Sequence, residues 1–143
     1  MKKKLDLILL IDDDYPTNCF NEMMIEDEGV TEKIKVMQSA AEALDYLSNQ
    51  GEYKPNGTAY PAPDLIFLDI NMPAMNGWEF LEQYHKLLPE QKGKIIVIML
   101  TASPNPDDEA KGKSIPDLSG FLNKPLTPPM LHGILKKYFV EQY

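Results

Sequence analysis

Leu7-Ile8-Leu9-Leu10-Ile11-Asp12-Asp13-Asp14 sets five uninterrupted apolar residues directly before three carboxylates. An apolar run this short suits a strand covered on both faces, the environment of a parallel sheet layered between helices. Two further runs share the design: Leu65–Leu68 leads into Asp69, and Ile95–Leu100 leads into Thr101. Ile34-Lys35-Val36-Met37 begins by alternating, as an edge strand does. Leu118 to Leu122 is a fifth, short segment, broken by Ser119 and Gly120.

Helical spacing fills the intervals. Cys19, Phe20, Met23 and Met24 predict one apolar helix face, and Ala40, Ala43, Leu44 and Leu47 a second. Phe80, Leu81, Tyr84, Leu87 and Leu88 give a third, and Met130, Leu131, Ile134, Leu135 and Tyr138 a last one running to about Val140. Ser39 with Glu42 reads as a capping box, and Thr127 before Pro128 as a cap followed by proline at the first helical position. Asn105-Pro106-Asp107-Asp108 starts a weaker helix that contains Gly112. Strand and helix thus alternate five times, the pattern of an α/β doubly wound sheet. With the fully apolar strands central, the order 2-1-3-4-5 of a flavodoxin-like (βα)5 sandwich fits. Residues 50–63, rich in Pro, Gly and small polar residues, are expected to form a long surface loop within a single domain spanning 1–143, with no output domain.

Composition excludes several classes. The net charge is −8, from 14 basic against 22 acidic residues, and there is no basic cluster beyond the first four residues. Direct nucleic-acid binding normally needs a basic face, so none is expected. Cys19 is the only cysteine, which rules out an internal disulfide and points to a reducing compartment. Lys2-Lys3-Lys4 precedes an apolar run, but Asp6 interrupts it, three aspartates end it and no small-residue cleavage site follows. No stretch approaches the ~20 apolar residues of a membrane span. The expectation is a cytoplasmic protein, monomeric or weakly dimeric. Asp14, His85 and His132 are expected to be solvated, and the eight methionines to fill the core.

Ligands of such sheets bind at the carboxyl ends of the strands. There the sequence puts Asp12 and Asp13, Asp69, Thr101 and, after the fifth strand, Lys124. Carboxylates held this close repel one another unless a cation lies among them, and Mg²⁺, which prefers oxygen donors, resolves the conflict. Asp69 could then act as a nucleophile towards phosphorus, with Thr101 and Lys124 contacting phosphoryl oxygens.

Four segments carry a resemblance: Ile11-Asp12-Asp13-Asp14, Phe67-Leu68-Asp69-Ile70-Asn71-Met72-Pro73-Ala74-Met75-Asn76-Gly77, Leu100-Thr101-Ala102 and Phe121-Leu122-Asn123-Lys124-Pro125. In order and spacing they resemble the signatures of response-regulator receiver domains. That resemblance implies that Asp69 is the phosphoacceptor. It implies that Asp13, Asp69 and the backbone carbonyl of Asn71 bind Mg²⁺, with Asp12 helping directly or through water. It implies that Thr101 and Lys124 contact the phosphoryl group, that the Lys124-Pro125 peptide is cis, and that Phe121 is a switch aromatic. Ser103 and Asn71 fall where the lifetime of the aspartyl phosphate is influenced. The implied partners are a sensor histidine kinase or histidine phosphotransferase as donor. A downstream protein would be met through helix 4, strand 5 and helix 5 of the predicted order.

Rival readings are weaker. A phosphatase of the haloacid dehalogenase type would need an acid two residues after its nucleophile, where this chain has Asn71. A flavin carrier would need a hydroxyl- and glycine-rich loop after strand 1, where three aspartates would repel its phosphate. A scaffold that has lost its site is disfavoured because all the site residues are present. A receiver excised from a hybrid histidine kinase would read identically.

Overall fold

The structure is a computed structural model that describes residues 3–50, 61–87, 89–92, 94–102 and 105–140. Five parallel strands form one sheet in the order β2-β1-β3-β4-β5. They are β1 (Leu5–Ile11), β2 (Thr31–Met37), β3 (Leu65–Asp69), β4 (Ile96–Thr101) and β5 (Gly120–Asn123). The helices are α1 (Tyr15–Glu28), α2 (Ala40–Ser48), α3 (Gly77–His85), a single turn α4 (Pro89–Lys92), α5 (Pro106–Lys113) and α6 (Pro128–Tyr138).

The sheet divides two cores. Leu7, Leu9, Ile11, Ile66, Leu68, Val97 and Met99 point to one face, where Ala43 and Leu47 of α2 and Phe80, Leu81 and Tyr84 of α3 cover them. Ile8, Leu10, Phe67, Ile98 and Leu100 point to the other, under Ile25 of α1 and Leu131, Ile134 and Leu135 of α6. The alternation is the period-2 rule of a strand, with both faces apolar because both are covered. All five β3 residues are buried, whereas β2 and β5, at the edges, are largely half-exposed.

Local signals set the helix starts. Asp14 caps α1 and accepts the Thr17 amide at 3.0 Å, and Ser39 accepts the Glu42 amide at 3.1 Å at the start of α2. Asn76 and Glu79 form a complete capping box on α3. Asn105 and Thr127 cap α5 and α6, each followed by proline.

The structure corrects the sequence reading in places. The apolar face predicted for α1 is only partly buried: Met24 packs against the core and Cys19 is half-buried, but Phe20 is 56% and Met23 65% exposed, while Asn18, Asn21 and Ile25 are the buried positions. Asp14 is exposed but works as a cap, and His132 is half-buried, with Nε2 2.5 Å from Glu28 Oε1. The last strand starts at Gly120 instead of Leu118, α6 stops at Tyr138, and the turn α4 was not anticipated. With α4 counted, the predicted helix 4, strand 5 and helix 5 become α5, β5 and α6. Most of the 50–63 loop, and Ser103, lie outside the described residues.

Candidate functional site

Strand register brings the acids together. Ile11 is aligned with Leu68, so the residues that follow, Asp12 and Asp69, leave adjacent strands at the same sheet edge. Asp69 is in turn aligned with Leu100, one residue before Thr101, and Thr101 with Asn123, one before Lys124. Carboxylate oxygens of Asp12, Asp13 and Asp69 lie within 4.8 Å of one another. Asp12 and Asp69 are 5% and 7% exposed, whereas Asp13 opens to solvent.

Each group is held. Asp12 Oδ1 accepts the Asp14 amide at 2.9 Å, and Asp12 Oδ2 accepts from Lys124 Nζ at 2.7 Å. Lys124 Nζ also lies 3.1 Å from Asp69 Oδ1. The Lys124 amide donates to the Thr101 carbonyl at 2.7 Å, and the Lys124-Pro125 peptide is cis. Buried Asn18 donates from Nδ2 to the Asp12 carbonyl at 2.7 Å, while its Oδ1 has no protein partner among the described residues. Behind Asp69, Gly77 lets α3 close in: a Cβ there would stand 2.7 Å from the Asp69 carbonyl oxygen. Ala74 takes the left-handed φ of +66° in the loop between β3 and α3.

Electrostatics follow from this crowding. Burial, then the charge of Asp12, pushes the Asp69 carboxyl above the usual carboxylate range despite Lys124. Burial would lower the Lys124 ammonium, but the hydrogen bond and charge of Asp12 and the charge of Asp69 outweigh it and push it up. Three carboxylates against one ammonium leave the pocket net negative. A donor set of carboxylates alone, one of them solvent-facing, fits a hard divalent cation that keeps several waters.

Four of the residues expected from sequence are thus assembled: Asp12, Asp13, Asp69 and Lys124. Thr101 is buried and adjoins them through its backbone bond to Lys124. Asn71 is exposed on the loop after β3. Phe121 lies half-buried on β5 under α5, where a Cβ on Gly112 would come within 3.2 Å of its ring. The sequence reading gave no role to Asn18, and it named Asp14 and Gly77 without the cap and the close approach they provide. Only Asp14 left a legible trace, as an aspartate three residues before Thr17 at a helix start.

Comparison with known proteins accounts for this combination of sheet order and acid cluster. The class that the fold and site define is a phosphorelay receiver, and the chain belongs to the response regulator receiver domain family, whose model matches residues 8–136. It is 31% identical to response regulator Rcp1 of Synechocystis sp. over 102 residues, 71% of this chain and 65% of that protein. A two-component response regulator from Cytophaga hutchinsonii superposes with a TM-score of 0.82 and 33% identity, covering 96% of this chain and 99% of the other. The Mn²⁺-bound form of Rcp1 shares the fold with a TM-score of 0.74 at 23% identity, covering 96% of each chain. The chain spans between about half and two thirds of the length of the first curated relatives it matches. This is a receiver of two-component signalling, and family membership does not favour the phosphatase reading. Receivers are signalling switches, not turnover enzymes of the ordinary kind. No described helix is long and apolar enough to cross a membrane.

Proposed function

We propose that Asp69 is the phosphoacceptor, and the observation that carries this is a buried carboxylate 3.1 Å from the Lys124 ammonium within a three-acid cluster. The carboxylate oxygen of Asp69 attacks phosphorus of a phosphohistidine. The P–N bond breaks as the O–P bond forms, and the imidazole, protonated by solvent on its other ring nitrogen, leaves neutral with the electron pair of the broken bond. Phosphoryl transfer asks chiefly for alignment and charge neutralisation. Lys124 holds Asp69 in place and neutralises one transferred oxygen, and Thr101 donates its hydroxyl to another. Asp12 and Asp13, with Asp69 and the Asn71 carbonyl, would hold Mg²⁺, and the Mn²⁺-bound form of the similar Rcp1 supports a divalent ion of this kind. When bound, the cation supplies positive charge to the transferring oxygens.

The donor is a sensor histidine kinase or histidine phosphotransferase, acting on a cytoplasmic protein. Thr101 moves towards the new charge, Phe121 follows into the space vacated, and the α5–β5–α6 surface changes its preference for a downstream protein. Moving a switch from 1:99 to 99:1 takes about 5.5 kcal/mol, and two or three charge-assisted hydrogen bonds of ~1.5–3 kcal/mol each reach that.

The test is incubation with Mg²⁺ and either acetyl phosphate or beryllofluoride, followed by intact mass and ¹⁹F NMR. An adduct lost in Asp69→Asn is expected. An adduct that persists in that variant, or none in the wild type, overturns the proposal.

A further inference from the structure

Away from the acid cluster, a cavity of about 500 Å³ lies between α3 and the stretch from α5 to Pro116. That is the size of a small-molecule site. Trp78 and Leu81 of α3 form one apolar wall, and Ile115 and Pro116 the other. Lys86 and Lys111 also line it, beside His85 and Ser114, with Glu82 the one carboxylate on the lining among the described residues. A lining with two lysines to one carboxylate runs against a chain of net charge −8.

Lys111 is not left to wander. Its ammonium sits 4.8 Å from the centre of the Trp78 ring, a cation–π distance. A ring and the cation over it are thereby held together before any ligand arrives, which lowers the entropy lost on binding. Asp117, the residue after Pro116, is paired with His85 Nδ1, itself on the cavity lining, at 2.9 Å and with Lys92 Nζ at 3.6 Å.

We infer that this α3–α5 cavity is a binding site for a small aromatic acid, its ring lying between Trp78 and Ile115 and its anionic group meeting Lys111 and Lys86. The site uses none of the phosphoryl-site residues and stands independently of the function proposed for them.

Trp78 is the only tryptophan, so its indole N–H gives a single NMR resonance from inside the cavity. The experiment titrates the ¹⁵N-labelled full chain with 2-naphthoate, the neutral 2-naphthamide and the non-aromatic cyclohexanecarboxylate. A saturable shift of the indole resonance with 2-naphthoate is expected, together with shifts at the amides of residues 81–86 and 111–115. Binding about tenfold weaker is expected for the amide and for Lys111→Met, the worth of one charge-assisted hydrogen bond. Lys111 is exposed, so that variant keeps the fold and its ¹⁵N spectrum verifies it. No saturable shift, equal affinity for acid and amide, or tighter binding of the non-aromatic acid would each overturn the inference.

Discussion

Lys124 Nζ donates to Asp12 Oδ2 at 2.7 Å across 112 residues of sequence. The two residues follow β5 and β1, which two strands separate in the sheet, an interval of roughly 14 Å at the spacing of neighbouring strands. A lysine cannot cover that alone. The Lys124 amide continues the β4–β5 ladder onto the Thr101 carbonyl, and side chains from both strand ends close the remaining gap, with the ammonium between Asp12 and Asp69.

Removing this cation leaves two buried carboxylates uncompensated. Lys124→Met is expected to destabilise the fold by about 3 kcal/mol in the presence of a chelator. Urea denaturation measures the loss, and added Mg²⁺ should restore part of it. Unchanged stability would mean that the ion pair contributes nothing.

The Asp69 carboxyl is raised by burial first and by Asp12 second. The folded protein therefore binds this proton more tightly than the unfolded chain, and ionised Asp69 costs stability at neutral pH. That cost falls away as pH drops through the raised value and is gone below the ordinary 3.8. Asp69→Asn should accordingly melt at a higher temperature than wild type at pH 7 without divalent ions, and lose its advantage below pH 3.8. A difference that does not vary with pH would contradict this origin.

A methyl group at position 77 meets backbone, which cannot swing aside: 2.7 Å to the Asp69 carbonyl oxygen and 3.0 Å to the Ile70 Cα. Gly77→Ala is expected to cost about 1–3 kcal/mol and, by moving Asp69, to weaken beryllofluoride binding. Wild-type values in both titrations would show that α3 has room to retreat.

On α1, Phe20 and Met23 are exposed while Ile25 is fully buried. Phe20→Ser and Met23→Ser should change stability by less than about 0.5 kcal/mol, whereas Ile25→Ala should cost about 2–5 kcal/mol. Comparable losses at all three positions would put the apolar face of α1 against the sheet after all.

That helix shows where sequence stops being legible. Hydrophobic spacing identifies a buried face only when apolar side chains do the packing. On α1 two of the inward positions are asparagines, and one of them, Asn18, is there because its amide reaches the Asp12 carbonyl. A hydrogen bond to a backbone group beyond the helix leaves no period in the sequence. Gly77 is similarly silent, since its purpose is set by how closely α3 approaches the end of β3.

The sequence alone determined the layered sheet, because three short apolar runs and two weaker strand segments, alternating with helical ones, can bury their surface in few ways. It also determined which chemical groups stand at strand ends, since a residue following a strand must emerge at that edge. Only the tertiary structure decided which of those groups touch. Contacts of 2.7 and 3.1 Å between Lys124 and two acids depend on strand register and on how the chain turns after β5. Those are fixed by the packing of the whole sheet against its helices, and no local run of residues encodes them.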